Sequence, residues 1–315
     1  MWRRGRPGEQ DPVDGAAEQQ ADPVAAPPDD GAAGPAALLD ALAVPALDPL
    51  FHIEPRVRRQ LDAVYALSRR HPTKVLMVGP QGCGKTELAR WLAATHRLPW
   101  LKVNCPAIQD PRDWFGWMTV REGQTVYQPT ALAQAIAVGN CVIFFDELNR
   151  LHTSLWGPLY GLLDDTNQVW VDQLGRHLRL SAGTIIIAAM NEGSQNIGVF
   201  LQDAALMERF VRIEATFLPP EREAEMLVKR TGVGSAMARS LVEVATLARR
   251  QAQGDDASLP WQVSTRSLIR TAELVAAGLN PREALEMTVT LRLPTEGALA
   301  SPRAEFLRIV QAKLG

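Results

Sequence analysis

The stretch Val75-Leu76-Met77-Val78-Gly79-Pro80-Gln81-Gly82-Cys83-Gly84-Lys85-Thr86 decides the fold. Its first five residues are a short apolar run of the kind that forms a buried parallel strand. The next seven complete, with Gly79, the pattern GxxxxGK[ST], matched at every position. A helix is expected directly after it, over Lys85–Thr95. Strand, glycine-rich loop and helix in that order are what the motif requires. Glycines let the backbone curl so that several N–H groups face one anion, and the helix N-terminus adds its dipole. Gly79, Pro80, Gln81, Gly82, Cys83, Gly84, Lys85, Thr86 and Glu87 are therefore the candidate phosphate-binding residues. Lys85 would hold the β- and γ-phosphates of a nucleotide, and the Thr86 hydroxyl would ligate Mg²⁺. A glycine-rich turn that binds nothing is the alternative, and the flanking strand and helix argue against it. Cys83 is expected to face away from the phosphates and has no role beyond its place in the loop.

Outward from this loop, four more apolar runs read as strands: Trp100–Cys105, Cys141–Glu147, Gly183–Asn191 and Phe210–Thr216. Helical patterns separate them at Thr130–Gly139 and Ser154–Asp165, and another precedes the first strand at Arg56–Arg70. Such alternation predicts a parallel five-stranded sheet covered on both faces. Two interruptions read as β-hairpins, Trp117–Gln128 turning at Glu122-Gly123 and Gln168–Ser181 turning at Gly175. After Pro219-Pro220 the strands stop. Helices are expected at Glu221–Thr231, Ser235–Gln253, Ser264–Ala277, Pro281–Leu291 and Pro302–Leu314, with Pro281 and Pro302 at first helical positions. The expected organisation is a tail at 1–45, an α/β nucleotide-binding core at 46–219 and an all-α lid at 220–315.

Val142-Ile143-Phe144-Phe145-Asp146-Glu147 runs four apolar residues straight into two carboxylates at a strand end. Ligands of open parallel sheets bind outside the carboxyl ends of the strands. Asp146 would hold the Mg²⁺ shell, and Glu147 could polarise the attacking water as general base. Asn191, at the end of its own strand, could orient that water, although Asn is also a common turn residue.

These residues, in this order and spacing, resemble the AAA+ ATPases, and within them the MoxR-type branch. The resemblance rests on the P-loop, on Asp146-Glu147-Leu148-Asn149-Arg150, on the two hairpins, and on the acidic helix start Pro220-Glu221-Arg222-Glu223-Ala224-Glu225. It covers about residues 50–290. The second proline usual in this branch's P-loop is replaced by Gln81. The resemblance implies Mg²⁺-dependent ATP hydrolysis with ATP between core and lid. It makes Asn191 the first sensor, Arg209 an arginine finger acting on a neighbour's γ-phosphate, and Arg266 the second sensor on the lid. Arg150 competes with Arg209 for the finger role. It further implies a homo-oligomeric, hexameric ring that remodels a client or adaptor protein, in this branch often one with a von Willebrand A domain. The rival is the nucleotidase motor of a nucleic-acid-targeting restriction or defence complex. Glu192-Gly193-Ser194 after Asn191, in place of that branch's Thr-Ala-Asp, argues against it.

Composition agrees with this reading. The 315 residues carry 33 Lys plus Arg and 35 Asp plus Glu, a net charge of −2. That balance argues against a chain built to coat nucleic acid or an anionic membrane. Residues 1–50 hold eight prolines, twelve alanines and a net charge of −6, leaving +4 on the rest. Such a segment buries too little apolar surface to offset its ordering entropy, so disorder is expected over most of it, with a short helix at Ala36–Val44. Cys83, Cys105 and Cys141 are odd in number and far apart, which excludes a disulfide framework. No apolar run approaches a spanning helix and no secretory signal opens the chain, so a cytoplasmic location is expected. The five histidines show no ligand spacing. Trp117 and Trp170, on the hairpins, could contact a partner or simply pack their hairpins.

Overall fold

The computed structural model describes residues 42–191, 207–254, 257–296 and 301–314. The tail up to residue 41, and the segment 192–206 that follows Asn191, lie outside the described residues. Residues 42–48 carry no helix, and Leu42 is buried in the core, so the packed chain reaches back before position 46.

Five strands form one parallel sheet: β1 (Thr73–Gly79), β2 (Trp100–Asn104), β5 (Val142–Asp146), β8 (Ile185–Asn191) and β9 (Val211–Glu214), in the order β2-β5-β8-β1-β9. The runs of the three inner strands, β5, β8 and β1, are apolar and buried on both faces, whereas the edge strands β2 and β9 carry exposed charges. Alternate residues serve different cores. Leu76, Ile143, Phe145, Ile186 and Ala188 point into one cluster, and Val75, Met77, Phe144, Ile185 and Ile187 into the other. Helices α1 (Pro55–Ser68) and α2 (Lys85–Thr95) cover the second cluster. Helices α3 (Ala131–Val138) and α4 (Gly157–Leu163) cover the first. In α1 the buried stripe Val57, Leu61, Val64 and Ser68 follows the helical period.

The two hairpins are β3–β4 (Gly116–Arg121, Gln124–Pro129) and β6–β7 (Gln168–Val171, Arg176–Arg179). The first turns on Glu122 and Gly123, both at positive φ, the geometry that suits a two-residue hairpin. The second closes through a 3₁₀ turn, Asp172–Leu174, and Gly175. The expected helix Ser154–Asp165 is split. A 3₁₀ turn covers Thr153–Leu155, and α4 starts only at Gly157, because Pro158 cannot continue a helix that began at Ser154.

The helical region comprises α5 (Pro220–Thr231), α6 (Ser235–Gln251), α7 (Thr265–Ala276), α8 (Pro281–Thr288) and α9 (Pro302–Leu314), around a separate core centred on Leu227, Leu241, Leu268, Leu285 and Phe306. Side chains cap several N-termini: Ser264 accepts from the Ser267 amide and Asn280 from that of Arg282. Helix α8 ends at Thr288, short of the expected Leu291: β-branched Val289 leaves the helical geometry at φ −129°, and Thr290–Arg292 form a 3₁₀ turn.

Candidate active site

The glycine-rich loop leaves the carboxyl end of β1 and enters α2 at Lys85. Two of its glycines are required by their surroundings. A Cβ on Gly79 would sit 2.0 Å from the Ala215 carbonyl oxygen. Gly82 has φ +74°, and a Cβ there would lie 2.5 Å from Cβ of Ser264, the cap of α7. The N-terminal end of α7 thus rests directly on the loop.

Lys85 is 7% exposed. Its Nζ donates to the carbonyls of Gly79 (2.8 Å) and Pro80 (2.8 Å) and to Oδ1 of Asn191 (2.9 Å). The sheet makes this meeting possible, since Gly79 and Asn191 are register partners at the ends of β1 and β8. These three acceptors are neutral oxygens that hold the ammonium in place at the loop.

Asp146 closes β5, the strand beside β8. Its Oδ2 pairs with Lys102 Nζ at 2.6 Å. Glu147 follows in the left-handed region at φ +53°, unusual for a residue with a Cβ. That turn ends the strand abruptly and starts the 3₁₀ turn Leu148–Arg150. The Glu147 carboxylate accepts from Arg150 Nη1 at 2.9 Å. Arg150 therefore stands beside its own subunit's Glu147. Cys105 lies close by, and burial, reinforced by the charges of Asp146 and Glu147, pushes its thiol well above the usual range.

Loop, strand ends and lid enclose a cleft of about 930 Å³, large enough for a nucleotide. Thr86, Glu87, Asp146, Glu147, Asn191 and Arg266 all line it. Arg266, in the first turn of α7, shares the cleft-facing side of that helix with Arg270 and Glu273, which recur at helical spacing. Phe51 and Ile53, just before α1, supply apolar wall. Gln81 and Cys83 also line the cleft, and the Cys83 thiol lies 3.7 Å from the Ala215 carbonyl oxygen.

Arg209 is elsewhere. It is exposed, and its charge acts on Lys74, whose pKa is lowered chiefly by burial. Lys74 sits at the amino end of β1 and Gly79 at the carboxyl end, about 17 Å apart at ~3.3 Å per strand residue. Val211 pairs with Val75 in parallel, so Arg209, just before β9, lies toward the amino end of the sheet, away from its own loop.

For a divalent metal the available donors are oxygens, the Thr86 hydroxyl and the Asp146 carboxylate. Mg²⁺ typically takes one or two protein oxygens and completes its shell with water and substrate phosphates, so this donor set fits it. No group of three or more His, Cys, Asp or Glu side chains suited to a metal occurs among the described residues.

Comparison with known proteins agrees with this geometry. Residues 74–210 match the AAA domain of the dynein-related subfamily, and residues 223–302 match the CbbQ/NirQ/NorQ C-terminal domain. BssE of Thauera aromatica, named as a candidate chaperone, is 35% identical over 85% of this chain and 93% of its own length. The chain belongs to the MoxR-type AAA+ ATPases. NorQ of Paracoccus denitrificans is 30% identical over 71% of the chain and 81% of its own. A solved structure of a Thermotoga maritima RuvB mutant superposes over 80% of this chain and 74% of its own with a TM-score of 0.50. At 18% identity that likeness speaks to the fold alone. As a MoxR-type AAA+ enzyme the protein is an ATPase, converting ATP and water to ADP and phosphate.

Several cleft residues escaped the sequence reading. Lys102 has the clearest signal, a lone charge between Leu101 and Val103 on a strand next to the acidic one. Arg270 and Glu273 could have been found by extending Arg266 at helical spacing. The Arg230–Asp48 ion pair at the cleft edge joins residues 182 positions apart and has no local signature.

Proposed function

We propose that this ATPase is a Mg²⁺-dependent motor that works as a homo-oligomeric ring, hexameric in its family's manner, and remodels or activates a client protein. The observation that carries the reading is the convergence on buried Lys85: P-loop carbonyls, the Asn191 amide and the carboxylate strand end meet in one cleft, under a helix bearing Arg266.

The residues divide the work as follows. Backbone N–H groups of residues 82–86 and the start of α2 receive the polyphosphate. Lys85 transfers its charge from neutral acceptors to the β- and γ-phosphates. Thr86 and Asp146 would hold Mg²⁺, which would supply neutralisation of phosphate charge, and Asp146 would exchange its pairing with Lys102 for that role. Glu147, freed from Arg150, accepts a proton from the attacking water, which Asn191 helps to orient. Arg266 contacts the phosphates from the lid. Arg209 acts on the next subunit's ATP, where a cationic finger stabilises charge on the transferred phosphoryl group. Arg150, already engaged with its own Glu147, is the weaker candidate for that role.

Client remodelling is supported by the C-terminal domain match and by the candidate-chaperone name given to BssE. A von Willebrand A domain in the client or its adaptor is the family's expectation. No described helix is long and apolar enough to cross a membrane, and a cytoplasmic site of action is proposed with the rest. The RuvB likeness concerns fold and gives no support to a nucleic-acid motor.

Glu147→Gln tests the assignment. Nucleotide binding should persist while turnover falls by roughly 10²–10⁴, the usual share of a general base. The variant should also retain client protein in ATP. Turnover near wild type would remove Glu147 from the role of base.

A further inference from the structure

The helical region contains a fully desolvated ion pair outside the cleft. Glu223, near the start of α5, is 0% exposed, and Arg249, near the end of α6, is 7% exposed. Arg249 Nη1 and Nη2 donate to the two Glu223 oxygens at 2.7 and 2.9 Å, and Nε donates to the Val263 carbonyl at 2.7 Å. Thr265 Oγ1 donates to Glu223 Oε1 at 2.6 Å. The guanidinium also lies 3.7 Å over the ring of Phe217, in the segment between β9 and α5.

Such a pair is a poor way to gain stability, since desolvation of both charges offsets most of the attraction and apolar residues would serve as well. What a guanidinium fork supplies is direction: three N–H bonds in one plane fix two partners, Glu223 and Val263, at set angles, and Glu223 in turn holds Thr265. The partners are informative. Val263 and Thr265 flank Ser264, which rests on Gly82 of the P-loop, and Thr265 precedes Arg266, which lines the cleft. Phe217 lies two residues after Ala215, whose carbonyl packs on Gly79 and accepts from Cys83. The pair therefore joins the two chain segments that touch the P-loop from the lid side.

We infer that Glu223 and Arg249 are positioning residues for nucleotide: their pair holds the first turn of α7 on the P-loop, so that Arg266 meets the phosphates and phosphate-dependent movement of the loop reaches the lid. This inference rests on the proposed nucleotide site and adds to it residues that never touch nucleotide.

The test uses the full chain with both residues replaced together, Glu223→Met with Arg249→Met, so that no unpaired charge is left buried. The readouts are thermal melting, affinity for a fluorescent ATP analogue, and amide exchange over residues 263–267 with and without ATP. The double variant should melt cooperatively near the wild-type temperature, bind nucleotide on the order of tenfold more weakly, and lose ATP-induced protection of that segment. Adding Arg266→Ala should then cost less than it does alone, because the arginine is already misplaced. Thr265→Val, which removes the hydroxyl donated to the buried Glu223 carboxylate, is the second arm: it should weaken binding severalfold and lower the melting temperature by about 3–10 °C, still in one cooperative transition. Wild-type affinity in these variants, or full additivity with Arg266→Ala, would overturn the positioning role. Lys85→Met separates the two claims. If it loses binding while the pair's variants do not, only the positioning role fails; if it binds as wild type, the nucleotide site fails and the inference with it.

Discussion

Replacing Lys85 with methionine keeps the side chain's length and apolar stem and removes one charge from the centre of the site. In the free protein that charge is hydrogen-bonded to Gly79, Pro80 and Asn191. Of these acceptors Asn191 lines the cleft and can be resolvated, while the Gly79 and Pro80 carbonyls lose a partner beneath it, so the stability cost should be moderate. A net of about 1–3 kcal/mol is expected, equivalent to a fall in melting temperature of roughly 2–10 °C. The effect on nucleotide should be larger. Charged hydrogen bonds contribute about 1.5–3 kcal/mol each, and a phosphate contacted by Lys85 would lose at least one and typically two. Allowing for non-additivity, about 3 kcal/mol is lost, on the order of a hundredfold in Kd. Titration of a fluorescent ATP analogue at fixed Mg²⁺ measures this directly, and a melt of the same sample separates it from unfolding. An affinity unchanged from wild type in a folded Lys85→Met protein would refute the reasoning, because nothing else in the cleft replaces a buried ammonium at that point.

Two further outcomes follow from the same geometry. Gly79→Ala places a methyl group 2.0 Å from the Ala215 carbonyl oxygen at the end of a buried strand, and should destabilise the fold by about 1–3 kcal/mol with weaker nucleotide binding, read by melting and titration. Among the three thiols, Cys105 and Cys141 are 0% exposed, and burial raises both, Cys141 to about 12. Maleimide labelling followed by peptide mapping should therefore find Cys83 modified first, and ATP should slow it; faster labelling of Cys105 would contradict this packing.

Much of the core was legible because its elements combine a strong local pattern with a chemical marker. The apolar run into Gly79, and the run into Asp146 and Glu147, needed only periodicity and the position of the polar residue that ends them. The hairpins announced themselves through Gly123 and Gly175, residues that accept positive φ. Element ends were less legible. Ser154–Asp165 reads as one helix by composition, but Pro158 forbids its first turn, and the 3₁₀ turn before it is a tertiary compromise. The site's polar partners were the least legible. Lys102 reaches Asp146 only because β2 and β5 are neighbours in the sheet, and Glu223 meets Arg249 only because α5 packs on α6. The hairpin tryptophans are both about half exposed, at 47% and 51%. Trp170 nonetheless packs edge-on to His177 and bonds Asp172, so its hairpin uses it locally.

The central claim is a site completed by a neighbouring subunit, and mixing two inactive variants tests it most directly. Arg209→Ala should bind ATP and hydrolyse it slowly, and so should Glu147→Gln. In a head-to-tail ring, each interface joins one subunit's Glu147 to another's Arg209. Random mixing at equal amounts leaves both residues intact at about a quarter of interfaces, because each of the two partners is the required variant half the time. The mixture should recover ATPase activity well above either variant alone, up to about that quarter of wild type. Activity that stays at the level of the separate variants, with subunit exchange demonstrated by mass, would contradict a finger supplied in trans by Arg209.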